Sequence, residues 1–200
     1  MNKSFGRNKE YEQHLEGKLP EELERFRHSV DWPINPNDEN FHLSYYFLET
    51  REGKKGGNHS GIDLKVPAQT PIYAPESGRI VSVRSDGRDD FLGDIILYSD
   101  ETRIAYSLAH VQFFDLPEKI RKCKPFDRDS PIEVKKGEEI ASVGYWPFEN
   151  KNYDFLPEDI KALKEYYCHL HFGTEFCPDI SQLKEDMNSR FNPLLILKKL

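Results

Sequence analysis

Two histidines near the C-terminus, His169 and His171, occupy alternate positions in a sequence typical of a β-strand. Side chains two residues apart on a strand point to the same side of the sheet, with Cα atoms ~6.6 Å apart. Cys168, Leu170 and Phe172 alternate with the histidines and form an apolar face suited to the core. The pattern therefore predicts one packed face and one face that carries two imidazoles. Such pairs are common on ordinary exposed strands, so the pair indicates a metal site only if further ligands lie nearby.

A second pair of potential ligands, His59 and Asp63, lies four residues apart around Gly61. The β-branched residues, the glycine and Pro67 favour a strand over a helix here. On a straight strand the Cα atoms of His59 and Asp63 would be ~13 Å apart. That separation is too large for both side chains to reach one ion at ~2 Å. We therefore predict a bend near Gly61 that brings the two side chains together.

Two histidines and one carboxylate suit a catalytic zinc ion, because three protein ligands leave a fourth position for water. Spacing alone does not decide whether His169 or His171 completes the set with His59 and Asp63. A structural zinc site typically uses closely paired cysteines, and the three cysteines of this chain show no C-x-x-C spacing. Cys168 is predicted to be a buried thiol.

The elements that must position these residues are predicted to be short strands. Alternating or aromatic runs bounded by turn residues occupy residues 41–50, 62–66, 79–83, 93–99, 103–110 and 168–176, and two more strands flank a turn within 132–144. Pro67 and Pro71 bracket a predicted turn. Helical spacing occurs over residues 21–30 and 157–167. The sequence thus predicts a mainly β fold, an antiparallel sandwich or barrel-sandwich hybrid with a few peripheral helices.

Composition and charge narrow the class of protein. The 200 residues suit a single domain, with 37% hydrophobic residues, enough for a packed core. We predict an N-terminal helical appendage and linker over residues 1–38, and a β domain over 39–200. The net charge of −7 argues against nucleic acid as a partner. No apolar run approaches the ~20 residues of a membrane-spanning helix, and the first residues lack the apolar stretch of a signal peptide.

Several motifs, in this order along residues 41–196, resemble the LytM/lysostaphin-type zinc endopeptidases. They are Asn58-His59-Ser60-Gly61-Ile62-Asp63, Thr70-Pro71-Ile72-Tyr73-Ala74-Pro75, Ser77-Gly78-Arg79-Ile80-Val81, His110, Val134-Lys135-Lys136-Gly137-Glu138-Glu139-Ile140, His169-Leu170-His171-Phe172-Gly173 and Asn192-Pro193-Leu194. The combination of H-x-x-x-D with H-L-H-F-G is specific, whereas each half alone is weak.

The resemblance implies a β fold with a narrow groove over one zinc ion. It implies that His59, Asp63 and His171 bind the metal, and that His110 and His169 are catalytic. It also implies hydrolysis of peptide bonds in bacterial peptidoglycan, in stem peptides or cross-bridges, and hence a site of action in the cell envelope or outside the cell.

Three features depart from the family pattern. The sequence around His110, Ser-Leu-Ala-His-Val, differs from the usual aromatic-small-His-Leu. The segment 146–167 before the H-x-H pair is longer than the usual glycine-rich loop and is predicted to be helical, which bears on substrate choice. The region before His59 lacks a close match to the usual entry sequence. The family's site sometimes also includes a tyrosine, and Tyr45 or Tyr46 could serve here.

Two other functions fit part of the sequence. One is a non-catalytic module that binds peptidoglycan or protein on the same fold, although such modules typically lose zinc ligands. The other is a biotinyl, lipoyl or phosphoryl carrier, which the segments around Gly78 and Gly137 resemble. A carrier would use Lys135 or Lys136 at a hairpin tip, and it gives no role to His59, Asp63 and His171.

Overall fold

The computed structural model describes residues 14–15, 17–48, 58–85, 92–124, 126, 131–144, 168–183 and 189–200. The predicted helix over 157–167, and with it the long segment 146–167, lies outside these residues. Among the described residues, no helix has the length and apolar character needed to cross a membrane.

Antiparallel strands are the main secondary structure of the described chain. They are β1 (His42–Tyr45), β2 (Ile62–Lys65), β3 (Pro71–Tyr73), β4 (Gly78–Ser85), β5 (Leu92–Ser99), β6 (Ile104–Gln112), β7 (Ile132–Val134), β8 (Glu139–Ser142), β9 (His169–Phe176) and β10 (Arg190–Phe191). The strands of the larger sheet are ordered β1-β2-β9-β6-β5-β4-β7, and the short strand β10 also pairs with β9. Strands β3 and β8 pair in a second sheet. The prediction of a mainly β, antiparallel fold is confirmed, and the described strands do not close into a barrel.

Helices are few and short. The described residues contain 3-10 helices at Glu21–Phe26, Ile180–Gln182 and Pro193–Leu195, and one α-helix at Glu118–Arg121. The helix predicted over 21–30 ends at Phe26, because the ψ of Arg27 is 122°, outside the helical region. Val30, which was predicted to be helical, forms a bridge with Leu197 instead.

Two details of the strand assignment go beyond the prediction. The two strands predicted around Lys136–Gly137 are confirmed, and each pairs with a different neighbour, since β7 pairs with β4 and β8 pairs with β3. The turn predicted between Pro67 and Pro71 is also confirmed, and it is followed by strand β3, which was not predicted and begins at Pro71. Proline is tolerated as the first residue of a strand, where its missing N–H costs no ladder hydrogen bond.

The main core lies on one face of the larger sheet. Alternate residues of β2, β6 and β9 face it, including Leu64, Leu108 and Phe172, each fully buried. The apolar faces predicted for residues 62–66 and 168–172 are therefore correct. Burying each such side chain contributes about 1.5–3 kcal/mol. With this face packed, Asp63 and His171 are left on the opposite face of the sheet, because strand side chains alternate.

The segment before β1 packs against the same core. Leu23, Val30 and Ile34 are buried in it. The Val30 N–H donates to the Ile196 carbonyl at 3.0 Å, and the Trp32 indole N–H donates to the Lys198 carbonyl at 2.8 Å. These contacts tie residues 30–34 to the C-terminal tail, while the boundary predicted between residues 38 and 39 stays a prediction.

Glu76 is a half-buried carboxylate at the end of the sheet remote from the histidines. Its Oε2 accepts hydrogen bonds from Thr102 Oγ1 at 2.7 Å and from Tyr106 Oη at 2.5 Å. Burial raises the pKa of Glu76 by more than the hydrogen bonds from Tyr106 and Thr102 lower it. The carboxyl group of Glu76 therefore stays protonated to a higher pH in the folded protein than in the unfolded chain.

This raised pKa predicts a pH-dependent effect of Glu76→Gln. The favourable contribution of the protonated carboxyl is complete below the ordinary pKa of 4.5 and is lost as the pH rises through the raised value. Glutamine stays neutral, so the free energy of unfolding of Glu76→Gln relative to the natural protein should rise between pH 4.5 and neutrality. Urea denaturation of both proteins across this range measures the difference. A difference that does not change with pH would contradict the shift.

Candidate metal centre

Strand pairing brings the two halves of the histidine-rich sequence together. β2 and β9 are antiparallel neighbours, and Asp63 lies directly opposite His171 in their register. Both side chains are on the face of the sheet away from the core. Two residues that are 108 positions apart in the chain thus become cross-strand neighbours.

The chain bends at Ser60 and Gly61, just before β2 begins at Ile62. A Cβ on Gly61 would lie 2.3 Å from the Phe172 carbonyl oxygen, so only glycine lets the two backbones approach this closely. The bend returns His59 to Asp63, with His59 Nε2 3.0 Å from Asp63 Oδ1. This is the bend that the spacing of the two ligands requires.

Replacing Gly61 with alanine should therefore separate β2 from β9. The atoms that the new methyl group would meet are backbone atoms and cannot rotate away. We expect a loss of about 1–3 kcal/mol in the free energy of unfolding, together with weaker binding of an added divalent metal ion, measured by urea denaturation and chelator competition. Gly137→Ala is the matched control, because no atom lies within 4 Å of a Cβ there and only its positive φ of 76° opposes the change. Equal effects of the two variants on metal binding would contradict this role of Gly61.

Three ligand atoms converge at the bend. His59 Nε2 lies 2.9 Å from His171 Nδ1, and Asp63 Oδ1 lies 3.0 Å from each of these nitrogens. These residues form the group that could hold a metal ion within the described part of the chain. A tetrahedral zinc ion with ligands at about 2.1 Å separates its ligand atoms by roughly 3.4 Å, so the three atoms would need to move apart by only about 0.5 Å to hold one.

The surroundings of the three ligands also fit a cation. His59 Nδ1 lies 3.1 Å from the Tyr46 carbonyl oxygen, which can accept a hydrogen bond from Nδ1–H when Nε2 binds a metal ion. Asp63 is only 1% exposed. Burial raises its pKa, but hydrogen bonds with His171 and His59 more than offset this and hold the pKa well below its usual range. Burial lowers the pKa of His171 by more than Asp63 raises it, which favours the neutral imidazole that binds metals.

His169 lies on the same face of β9 as His171, as the alternating pattern predicts. Its Nε2 is 3.7 Å from Asp63 Oδ2, the oxygen that does not face the two other ligands. Asp63 thus contacts His59 and His171 through one oxygen and approaches His169 with the other. This places an imidazole beside the potential metal site but outside the group of three ligand atoms.

His110 reaches the site through a β-bulge. In the pairing of β5 with β6, Asp94 lies opposite Ala109 and Gly93 opposite Val111, so His110 is the extra residue. Its φ is 67°, in the left-handed region that side chains other than glycine seldom adopt. Bulges often redirect a side chain beside an active site. Here the imidazole of His110 lies 4.8 Å from that of His169 and 6.4 Å from that of His171, measured between ring centroids.

The structure therefore brings all five predicted site residues together, His59, Asp63, His110, His169 and His171. Other predicted candidates lie elsewhere or act differently. Cys168 is a buried thiol on the core face. Lys136, considered for a carrier, forms an ion pair with Asp31 at 3.0 Å. The side chain of Tyr45 lies outside the described residues.

Two contacts to the ligands were not predicted from the sequence. They are the Tyr46 carbonyl beside His59 Nδ1 and the Ser60 hydroxyl, 3.3 Å from His171 Nε2. A carbonyl leaves no sequence signal. Ser60 carries a weak sequence signal. It lies between the candidate ligand His59 and the predicted bend at Gly61, where a hydroxyl could contact another ligand.

Comparison with known proteins identifies the fold of this chain but no sequence family. No family model matches the chain, and no curated protein matches it. Among solved structures, the antimicrobial peptidase lysostaphin from Staphylococcus simulans matches 85% of this chain and 53% of its own at 17% identity, with a TM-score of 0.53. The catalytic domain of lysostaphin matches 78% of this chain and 90% of its own at 19% identity, with a TM-score of 0.48. A zinc-containing peptidase from Vibrio cholerae matches 74% of this chain and 37% of its own at 15% identity, with a TM-score of 0.46.

The fold is of the LytM/lysostaphin type, as the sequence motifs indicate. The chain spans about half of the length of lysostaphin, 50% in one structure and 53% in another. At these identities the likeness concerns the fold, and the activity has to be argued from the site.

Proposed function

We propose that this protein is a zinc-dependent metalloendopeptidase, with His59, Asp63 and His171 as zinc ligands and His110 and His169 as catalytic residues. The observation that carries the proposal is the convergence of three ligand atoms within 3.0 Å of one another, beside two further imidazoles. A purely structural metal site would have no need of the two additional histidines.

The ligand atoms favour zinc over other common ions. Two imidazole nitrogens and one carboxylate oxygen are a typical ligand set for catalytic zinc, with one position left for water. Calcium and magnesium prefer sites made of oxygen atoms alone. The buried Asp63 carboxylate supplies a single negative charge, so a bound divalent ion keeps a net positive charge that can act on a substrate.

A bound zinc ion would supply a Lewis acid that polarises the scissile carbonyl and lowers the pKa of water toward ~7. The proton transfers fall to the two histidines. His169, whose Nε2 lies 3.7 Å from Asp63 Oδ2, is placed to accept the proton of the attacking water. The imidazole of His110 lies 4.8 Å from that of His169, between ring centroids. It would donate a hydrogen bond to the developing oxyanion and pass a proton to the leaving amine.

We propose bacterial peptidoglycan as the substrate, cut in its stem peptides or cross-bridges. The motifs around His59, Asp63 and the H-x-H pair support this class, since they resemble those of wall-cutting endopeptidases. The activity would then be exerted in the cell envelope or outside the cell.

Digestion of purified peptidoglycan tests the proposal. Zinc-loaded protein is incubated with walls that differ in their cross-bridges, and new amino and carboxyl termini are identified by mass spectrometry. We expect release of peptides by the natural protein and none by the zinc-loaded His169→Ala variant. A protein that binds zinc and sediments with the walls but creates no new termini would instead be a non-catalytic binding module.

A further inference from the structure

The protonation of a neutral imidazole decides which of its nitrogens can bind a metal. One nitrogen carries the proton and donates a hydrogen bond, and the other offers a lone pair. In His171 the nitrogen that faces His59 and Asp63 is Nδ1. For Nδ1 to offer its lone pair there, the proton of His171 has to reside on Nε2, which needs an acceptor.

The hydroxyl of Ser60 is that acceptor. Ser60 Oγ lies 3.3 Å from His171 Nε2, in a half-buried position. A hydroxyl oxygen has two lone pairs, so it can accept from the imidazole and still donate its own proton elsewhere. A hydrogen bond from Nε2–H to this oxygen stabilises the tautomer that leaves Nδ1 unprotonated.

Ser60 reaches His171 because of the bend at Gly61. The missing Cβ at Gly61 allows the segment 59–61 to lie directly against the backbone of Phe172 and Gly173. One short segment thus supplies the ligand His59 and the hydroxyl that contacts the ligand His171. The Tyr46 carbonyl does the same for His59, with Nδ1 3.1 Å away. Each histidine ligand therefore has an acceptor at its outer nitrogen.

From this arrangement we infer that Ser60 is a positioning residue of the metal centre. Its hydroxyl accepts a hydrogen bond from His171 Nε2, selects the Nε2–H tautomer and holds the ring so that Nδ1 faces the ion. The inference rests on the metal site of the proposed function and does not depend on which bond is cut.

The zinc affinity of the 200-residue chain tests this role. Competition with a chromophoric chelator should show that Ser60→Ala binds zinc about 10–100-fold more weakly than the natural protein, the usual effect of losing a partner of a ligand histidine. Ser60→Thr keeps the hydroxyl and should restore most of the affinity. Ser44→Ala is the matched control, because the Ser44 hydroxyl contacts the backbone carbonyl of Asp63 at 3.4 Å and touches no ligand nitrogen. Its affinity should stay unchanged.

The Nε2–H proton of His171 provides a readout separate from activity. Nitrogen-15 NMR of the zinc-loaded protein should show this proton protected from exchange with water in the natural protein and in Ser60→Thr, because the hydroxyl accepts from it. In Ser60→Ala we expect the signal to be lost to exchange. A folded Ser60→Ala variant with a protected Nε2–H proton and undiminished zinc affinity would overturn the inference. A natural protein that binds zinc but cuts no peptide would refute the proposed function alone, because both measurements on Ser60 would stand.

Discussion

Replacing His171 with alanine should abolish zinc binding and peptide hydrolysis together, whereas replacing His169 should lower hydrolysis alone. His171 Nδ1 lies 2.9 Å from His59 Nε2 and 3.0 Å from Asp63 Oδ1, so its loss removes one of the three proposed ligands. The two remaining residues cannot form the three-ligand site that holds a catalytic zinc ion. His169 approaches the site only through Asp63 Oδ2, at 3.7 Å, and its loss leaves all three ligand atoms in place.

The two variants form a matched pair, since they remove the same side chain from the same face of one strand. Metal content after dialysis against trace zinc, measured by mass spectrometry, should be near one ion per chain for the natural protein and for His169→Ala. For His171→Ala it should be near zero. The turnover of zinc-loaded His169→Ala should fall by about 10²–10⁴-fold, the usual contribution of a general acid or base. If His169→Ala lost the metal and His171→Ala retained it, the roles of the two histidines would be the reverse of those assigned.

Local sequence patterns predict the strand faces well because alternation is a local property of the chain. The burial of Leu170 and Phe172, and the placement of His169 and His171 on the other face, follow from the period of two residues. The bend at Gly61 could also be predicted, because a straight strand cannot bring His59 to Asp63. Both predictions depend on at most five consecutive residues.

Pairing between distant strands could not be predicted in the same way. Nothing local places Asp63 opposite His171, or separates β7 from β8 so that each pairs with a different strand. Register is set by the whole sheet, since a shift of one residue would turn every side chain to the other face. The choice of His171 over His169 as a ligand accordingly came from the family resemblance and not from spacing. The side-chain partner Ser60 was missed for the same reason, as its role exists only once β9 lies beside it.

The β-bulge at His110 is another feature that could not be predicted from the sequence. Because of its positive φ, we expect substitutions of His110 to change stability and activity independently of each other. On a regular strand His110 would follow the alternation of Tyr106 and Leu108, both of which face the core. The extra residue in the pairing with β5 turns its imidazole toward His169 instead, at the expense of a φ of 67°. Left-handed backbone costs about 1–2 kcal/mol for most residues, and glycine adopts it freely.

Substituting His110 should therefore lower activity in every case but change stability according to the residue introduced. His110→Gly fits the left-handed backbone, so it should keep the free energy of unfolding within about 1 kcal/mol of the natural value or raise it. His110→Val should lose about 1–3 kcal/mol, because a β-branched side chain resists a positive φ. Zinc should still bind to His110→Gly, since His110 is not among the three ligands, while its turnover falls by about 10²–10⁴-fold. Urea denaturation, chelator competition and peptide release measure the three quantities. Equal free energies of unfolding for the glycine and valine variants would show that the positive φ at residue 110 is not a source of strain. Loss of zinc from His110→Gly would show that His110 is a ligand. A glycine variant that is more stable than the valine variant and still binds zinc would identify His110 as a strained residue kept for its chemistry.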